Sequence, residues 1–279
     1  MPSISDVTRS RITAHIEVFI ENLVERYRAR AVERMESTEQ YLSLTDAKGN
    51  LKPFHAAIIP SEVLRISAFE RGFVTSLGTS FEECARLIAL DHHQDAQRSY
   101  DVQGGISSDA LTEIERQVSS FERAAVRKAQ GPDLDSMINS VLRANNSGES
   151  VDRAYKADLY ILSNDGDEYY FEMKSPKPNK DQCLVVTQRI LRFHALRNQA
   201  RPKVRGYFAM VYNPYGNSRE DYNWSIAKNY MPYDEGLLIG DEFWNVVGGA
   251  TAYQELLEIY RHVGKVKAKY ILDALAFGF

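Results

Sequence analysis

Three side chains, Asp158, Glu172 and Lys174, combine types and spacing that could carry chemistry. Asp158 stands in Lys-Ala-Asp-Leu-Tyr-Ile; Glu172 and Lys174 stand in Tyr-Tyr-Phe-Glu-Met-Lys, fourteen residues further on. Two carboxylates beside an ammonium suit metal-assisted hydrolysis of a phosphodiester. A Mg²⁺ ion takes one or two carboxylates and leaves its other positions to waters and phosphate oxygens. It lowers the pKa of a bound water and stabilises charge on the phosphate. Asp158 and Glu172 can supply the carboxylates, and the Met173 carbonyl between the functional side chains can add an oxygen ligand. Lys174 supplies a fixed positive charge and a donor beside the attacking water. The bland alternative is a lysine salt-bridged to an acid across a solvated hairpin. Asp46-Ala47-Lys48 repeats the acid-x-lysine spacing in a polar turn with no flanking strands, and is set aside.

The chemistry needs a scaffold that brings these residues together. Tyr155–Leu162 and Tyr169–Met173 are short, apolar and rich in aromatic or branched residues, and Ser163–Glu168 between them contains Asp-Gly, so the pair reads as a hairpin. Glu172 and Lys174, two apart in a strand, share a face. Antiparallel pairing across a six-residue turn sets Asp158 opposite Glu172. A helix over Asn179–Gln199 and a strand over Val204–Tyr212 follow, giving the order strand, strand, helix, strand. Upstream, Ile12, Ile16, Phe19, Leu23 and Tyr27 recur at helical spacing and predict a helix from about Val7 to Met35. Further helices are expected at about Ser80–His92, Ser107–Ala129 and Leu134–Arg143. The tail reads as a short strand at Gly236–Ile239, then helices at about Asp241–Val247, Thr251–His262 and Lys265–Leu275. The whole is a mixed α/β chain, a central mixed sheet flanked by helices. A helical N-terminal region over residues 1–60, a candidate dimerisation element, precedes a catalytic domain over 61–279.

Composition narrows the class. The 279 residues are 44% hydrophobic and 26% charged, ordinary for a folded globular chain. No stretch approaches the roughly 18 apolar residues of a membrane span, and nothing resembles a signal peptide, so a cytoplasmic protein without a membrane partner is expected. Cys84 and Cys183 lack companions at zinc-ligand spacing. His92 and His93, adjacent on a helix, point about 100° apart and rarely share a metal. The net charge is −4, yet Lys174–Arg205 holds nine basic residues against Asp181 alone, a local +8. Lys177, Lys180, Arg189 and Arg192 from that segment are candidate phosphate contacts. Asn213–Asn223 and Asn229–Asp234, rich in Asn, Tyr and Arg, are candidate base readers.

Asp158 with Glu172-Met173-Lys174 resembles the PD-(D/E)xK nuclease motif. Phe171–Lys180 (Phe-Glu-Met-Lys-Ser-Pro-Lys-Pro-Asn-Lys), Arg71–Glu82 and Asp241–Gly249 resemble type II restriction endonucleases of the TdeIII and EcoO109-like groups, over roughly Phe69–Tyr260. The resemblance implies a restriction-endonuclease-like core and a Mg²⁺-dependent homodimer acting on palindromic double-stranded DNA. It implies cleavage to 5′-phosphate and 3′-hydroxyl ends, and targets of the GGNCC type. A cognate methyltransferase would act on the same site without binding this chain. Ala157 stands where the motif has proline, a position without a chemical role. The family pattern also places an acid on a preceding helix: Glu82 matches best, with Glu83 competing, and Thr79 with Glu82 could instead form a capping box. Two other classes fit the same residues: a repair or recombination nuclease of this fold, and a DNA-binding module without catalysis.

Overall fold

The Asp-Gly turn does reverse the chain. Gly166 takes φ 78°, a left-handed conformation that costs glycine little, its N–H donates to the Ser163 carbonyl at 3.0 Å, and the Ser163 N–H donates to the Asp167 carbonyl at 2.9 Å. The computed structural model describes residues 2–28, 38–43, 45, 53–127 and 129–277. The Asp46–Lys48 triplet and the predicted end of the first helix near Met35 lie outside them. In chain order the elements are α1 (Asp6–Arg28), α2 (Thr38–Leu42), α3 (Pro53–Ile58), α4 (Ser61–His92), β1 (Asp95–Ser107), α5 (Ser108–Val126), α6 (Leu134–Asn145) and β2 (Ser150–Leu162). Then come β3 (Glu168–Lys174), α7 (Lys180–Arg197), β4 (Val204–Met210), α8 (Ser225–Tyr230), α9 (Tyr233–Gly236), β5 (Leu237–Ile239), α10 (Asp241–Gly248) and α11 (Ala252–Phe277).

The strands form one mixed sheet in the order β1-β2-β3-β4-β5. The first two neighbouring pairs are antiparallel and the last two parallel. The chain is therefore a mixed α/β protein with a five-stranded sheet flanked by helices and a helical N-terminal region. It divides into two compact units, Met1–Arg9 with Phe81–Leu257 and Ser10–Ser80 with Glu258–Phe279. The first holds the sheet. On one sheet face α5, α6 and α7 bury Ile114, Phe121, Met137, Ile190 and Phe193 against Tyr170 and Phe208, each large side chain worth about 1.5–3 kcal/mol. On the other, Phe171 meets Phe243 of α10 at 5.4 Å between ring centroids. In the second unit, Phe19 and Tyr27 of α1 pack on Phe73 and Phe69 of α4.

Three departures from the sequence reading have physical causes. The expected helices at 251–262 and 265–275 are a single helix, α11, which runs through Gly264. The helix expected to begin near Ser80 is the C-terminal part of α4. Thr79 consequently lies inside a helix, where its hydroxyl donates to the Ser76 carbonyl at 2.8 Å, so it caps nothing. Finally, β1 was not anticipated. Its sequence, Asp-Ala-Gln-Arg-Ser-Tyr-Asp-Val-Gln-Gly-Gly-Ile-Ser, is polar and contains Gly-Gly, both poor strand signals. It is a strand because it pairs with β2 from Asp95↔Leu162 to Ser107↔Ser150.

The β1–β2 ladder turns over at one place. Ala157 and Tyr160, three apart, both join the core against α7, although residues three apart in a regular strand face opposite sides. Across from them, Ser99 takes φ 50°, rare for a residue other than glycine. It lies between the Arg98↔Leu159 and Tyr100↔Ala157 pairs. Asp158 occupies the corresponding place on β2, where strand alternation is broken.

Candidate active site

Alternation along β3 decides which side chains meet. Tyr170 packs on Phe193 of α7, at 5.1 Å between ring centroids, so Glu172 faces α7 as well. It is 0% exposed, and Arg189 Nη1, from the middle of α7, donates to its Oε1 at 2.8 Å and its Oε2 at 2.7 Å. Lys174 lies on the same face. Its ammonium donates to Asp158 Oδ2 at 2.7 Å and reaches Glu172 Oε2 at 3.3 Å. The Met173 N–H also donates to Asp158 Oδ2, at 2.8 Å. The β2–β3 pairing ends at Leu159↔Phe171, and Asp158 and Glu172 come next in that register. The two carboxylates thus converge on one ammonium, as the spacing predicted.

Burial shapes their protonation. It pushes the Glu172 carboxyl above its ordinary range, and the neighbouring Asp158 charge adds to the rise, while Arg189 and Lys174 oppose it. For Lys174, burial pulls the pKa down most strongly of any single effect, but Asp158 and Glu172 together outweigh it and the ammonium is held protonated. Arg189 is likewise held charged by its bonds to Glu172.

Of the two helix acids, Glu82 lies within electrostatic reach of Asp158 and Lys174. Burial, and after it Asp158, raises its carboxyl, against the opposing bond from Arg98. Arg98, from β1, donates to Glu82 Oε2 at 3.1 Å through Nη2. Glu83 belongs to a different group: Arg86 holds it at 2.6 Å and Arg98 at 3.3 Å, and Arg86 keeps its carboxyl low. Glu82, Asp158 and Glu172 each have a basic partner.

The basic segment is similarly paired. Lys180 contacts Glu122 at 2.6 Å and Arg192 contacts Glu115 at 3.7 Å. Arg197, Arg201, Lys203 and Arg205 bond Glu168, Asp135 and Asp167. With Lys174 and Arg189, eight of the nine bases have an acid within 4 Å. Lys177 differs. It projects to solvent between the buried Pro176 and Pro178, with its ammonium 5.1 Å from the centre of the Tyr215 ring and 5.9 Å from that of Trp224. Tyr222 and Trp224 brace this loop by donating to the Pro176 and Pro178 carbonyls at 2.8 and 2.7 Å. Asn213 and Asp221 spend their polar atoms on Ser218, Tyr215 and Asn217 within their own loop. Sequence reasoning missed Arg98 and the depth of Arg189 in the site, because neither has a spacing relation to Glu172 or Asp158.

Among the described residues, no group of three or more His, Cys, Asp or Glu is disposed to hold a metal. What is present is a pair of carboxylates, one fully buried, with hard oxygen donors and no thiolate or imidazole. That donor set fits Mg²⁺, which keeps several of its waters, and would suit zinc poorly. His92 and His93 place their Nε2 atoms against the Ser3 and Val246 carbonyls, and burial keeps the Cys183 thiol protonated, pushed up to about 12.

Comparison with known proteins shows the family. A family model described as type II restriction endonuclease, HinfI, matches residues 8–264. The type II restriction enzymes HgiEI, HgiCII and HgiBI of Herpetosiphon aurantiacus are each 40% identical over 273 residues, 98% of this chain and 99% of theirs. These matches support the HinfI family and not the narrower placement in the TdeIII and EcoO109-like groups drawn from Phe171–Lys180. The chain belongs to the HinfI family of type II restriction endonucleases.

Proposed function

We propose that the protein cuts double-stranded DNA at a palindromic site in a Mg²⁺-dependent reaction, with Asp158 and Glu172 as metal ligands, Lys174 as the general donor and Glu82 as an accessory acid. The observation that carries this reading is the convergence of two carboxylates on one ammonium, at 2.7 and 3.3 Å, in a chain of restriction-enzyme descent. A Mg²⁺ ion held by Asp158, Glu172 and the Met173 carbonyl would activate water and neutralise charge on the scissile phosphate. The residues do the rest. Lys174 orients the water and stabilises charge developing on the phosphate, and the Met173 N–H fixes the Asp158 oxygen that Lys174 also holds. As the water oxygen bonds to phosphorus and the P–O3′ bond breaks, Glu82, with its carboxyl raised, would relay the water's proton to solvent. The departing 3′ oxygen would take a proton from solvent, leaving 5′-phosphate and 3′-hydroxyl ends.

Lys177 is the phosphate or groove contact we favour, since it faces solvent beside the catalytic strand's end. A palindromic target asks for a homodimer. Exposed Val18, Val63, Val74, Val266 and Leu272 on α1, α4 and α11 are apolar surface that a second copy could cover. The GGNCC-type target expected from Phe171–Lys180 rests on the TdeIII and EcoO109-like likeness, which the family match does not support, so only the palindromic site is proposed. Cytoplasmic residence, with a methyltransferase protecting the same site, completes the proposal; among the described residues no helix is long and apolar enough to cross a membrane.

Digestion of a plasmid with and without Mg²⁺ tests the reading. Discrete fragments that require Mg²⁺ and vanish in Asp158→Ala are expected. A ladder, resection from ends, or full cleavage by Asp158→Ala would overturn it.

A further inference from the structure

The way Arg189 holds Glu172 has a consequence for metal binding. A single nitrogen, Nη1, stands 2.8 Å from one carboxylate oxygen and 2.7 Å from the other. Nearly equal distances to both oxygens put that nitrogen in the plane that bisects the carboxylate, so one donor engages both of the atoms that Glu172 could offer a metal. Lys174 meanwhile lies against Asp158 and against Glu172 Oε2. The two acids are already matched by two internal cations, and Glu172 is 0% exposed. Adding a divalent ion to this arrangement unchanged would set +4 against −2 within a few ångströms. A divalent ion is repelled by each internal cation twice as strongly as a unit charge at the same distance would be.

One cation must therefore yield, and Arg189 has the means. Its side chain is 38% exposed, which leaves the guanidinium a path to solvent. Its backbone is fixed, because Val186 and Ile190 of α7 are buried in the core. Lys174 is more enclosed, at 30% exposure, and serves both acids at once. We infer that Arg189 is the metal's internal rival: it occupies the Glu172 position in the metal-free protein, and a divalent ion binds by displacing its guanidinium from at least one carboxylate oxygen. This rests on the reading of Asp158 and Glu172 as metal ligands. It gives Arg189 a role in the site itself, in place of a standing contact with DNA phosphate.

The test is a titration of the full chain with Mn²⁺ and Mg²⁺ in the absence of DNA, followed by calorimetry and by the metal-induced rise in melting temperature. Removing a competitor should tighten metal binding, so Arg189→Met is expected to bind at least about tenfold more tightly than the parent, equivalent to about 1.4 kcal/mol. Arg189→Lys, which keeps the charge without the fork, should fall between them and serves if the methionine variant does not fold. Unchanged or weaker metal binding in the folded variants would overturn the inference and identify Arg189 as a fixed support or a DNA contact. Asp158→Asn separates the two levels. If it binds metal as the parent does, the metal-site reading itself fails; if it loses metal while the Arg189 variants bind no more tightly, only the rivalry fails.

Discussion

Replacing Lys174 by methionine keeps the aliphatic stem and removes one charge from the centre of the site. The ammonium lies 2.7 Å from Asp158 and 3.3 Å from Glu172. At an effective dielectric of 20, those contacts have gross Coulomb energies of about 6 and 5 kcal/mol. Most of this is returned because the methionine pays no desolvation. A net loss of about 2–3 kcal/mol of stability at pH 7 remains, at or just below the least that breaking a fully buried pair costs, because Lys174 and Asp158 are part-exposed. The two carboxylates then face each other with Arg189 as their nearest cation. Like charges that close raise one carboxyl's pKa further, beyond the rise Glu172 already has. A carboxyl whose folded pKa exceeds its unfolded one stabilises the fold below the unfolded pKa, and that benefit is lost as pH rises through the folded pKa. The variant should therefore regain much of its melting temperature on acidification from pH 7 to pH 5. Cleavage should fall further than stability, by about 10²–10³-fold, the usual effect of deleting one transition-state donor. The assays are single-turnover plasmid cleavage, anisotropy of labelled DNA without divalent ion, and melting at both pH values. Cleavage within tenfold of the parent, or a melting deficit equal at the two pH values, would refute the reasoning, as would lost DNA binding in folded protein.

Two further outcomes follow from other residues. Lys177→Ala should weaken DNA binding across all sequences and lower the slope of log affinity against log salt by about one; an unchanged slope in a salt titration removes Lys177 as a phosphate contact. His194 is fully buried, with Nδ1 2.8 Å from the Gln199 carbonyl, and burial pulls its pKa down to about 4 from an ordinary 6.5. Its neutral form suits the fold, so urea-measured stability should be unaffected above pH 6.5 and fall by about 3 kcal/mol as pH drops to 4, and His194→Gln should lose that dependence.

The hairpin, the basic helix and the pairing of Asp158 with Glu172 and Lys174 were legible in the sequence because each is local. Alternation, an Asp-Gly turn and a two-residue spacing fix the hairpin and the pairing within seventeen consecutive residues, 158–174, and the basic helix follows at Lys180–Arg197. What escaped is what only tertiary pairing creates. β1 is a strand by virtue of its partner, and its positive-φ Ser99 turns the ladder over in a way no periodicity rule anticipates. The choice between Glu82 and Glu83 turns on which one approaches Asp158, a matter of helix placement. The acids that pair with the local +8 of Lys174–Arg205, from Glu115 and Glu122 to Asp135 and Asp167, come from other parts of the chain, so the segment's own composition could not reveal them.

That internal pairing bears on how such an enzyme searches a genome. Proteins with open basic tracts slide along DNA because mobile counterions, not fixed acids, balance their charge, and they stay bound non-specifically while they scan. Here eight bases of the segment are already answered by carboxylates in a chain of net charge −4. Non-specific residence on a duplex should be brief, and scanning runs short. Target finding then proceeds mainly by repeated encounter through solution, so that the chance of cutting two neighbouring sites in one visit falls steeply with the distance between them.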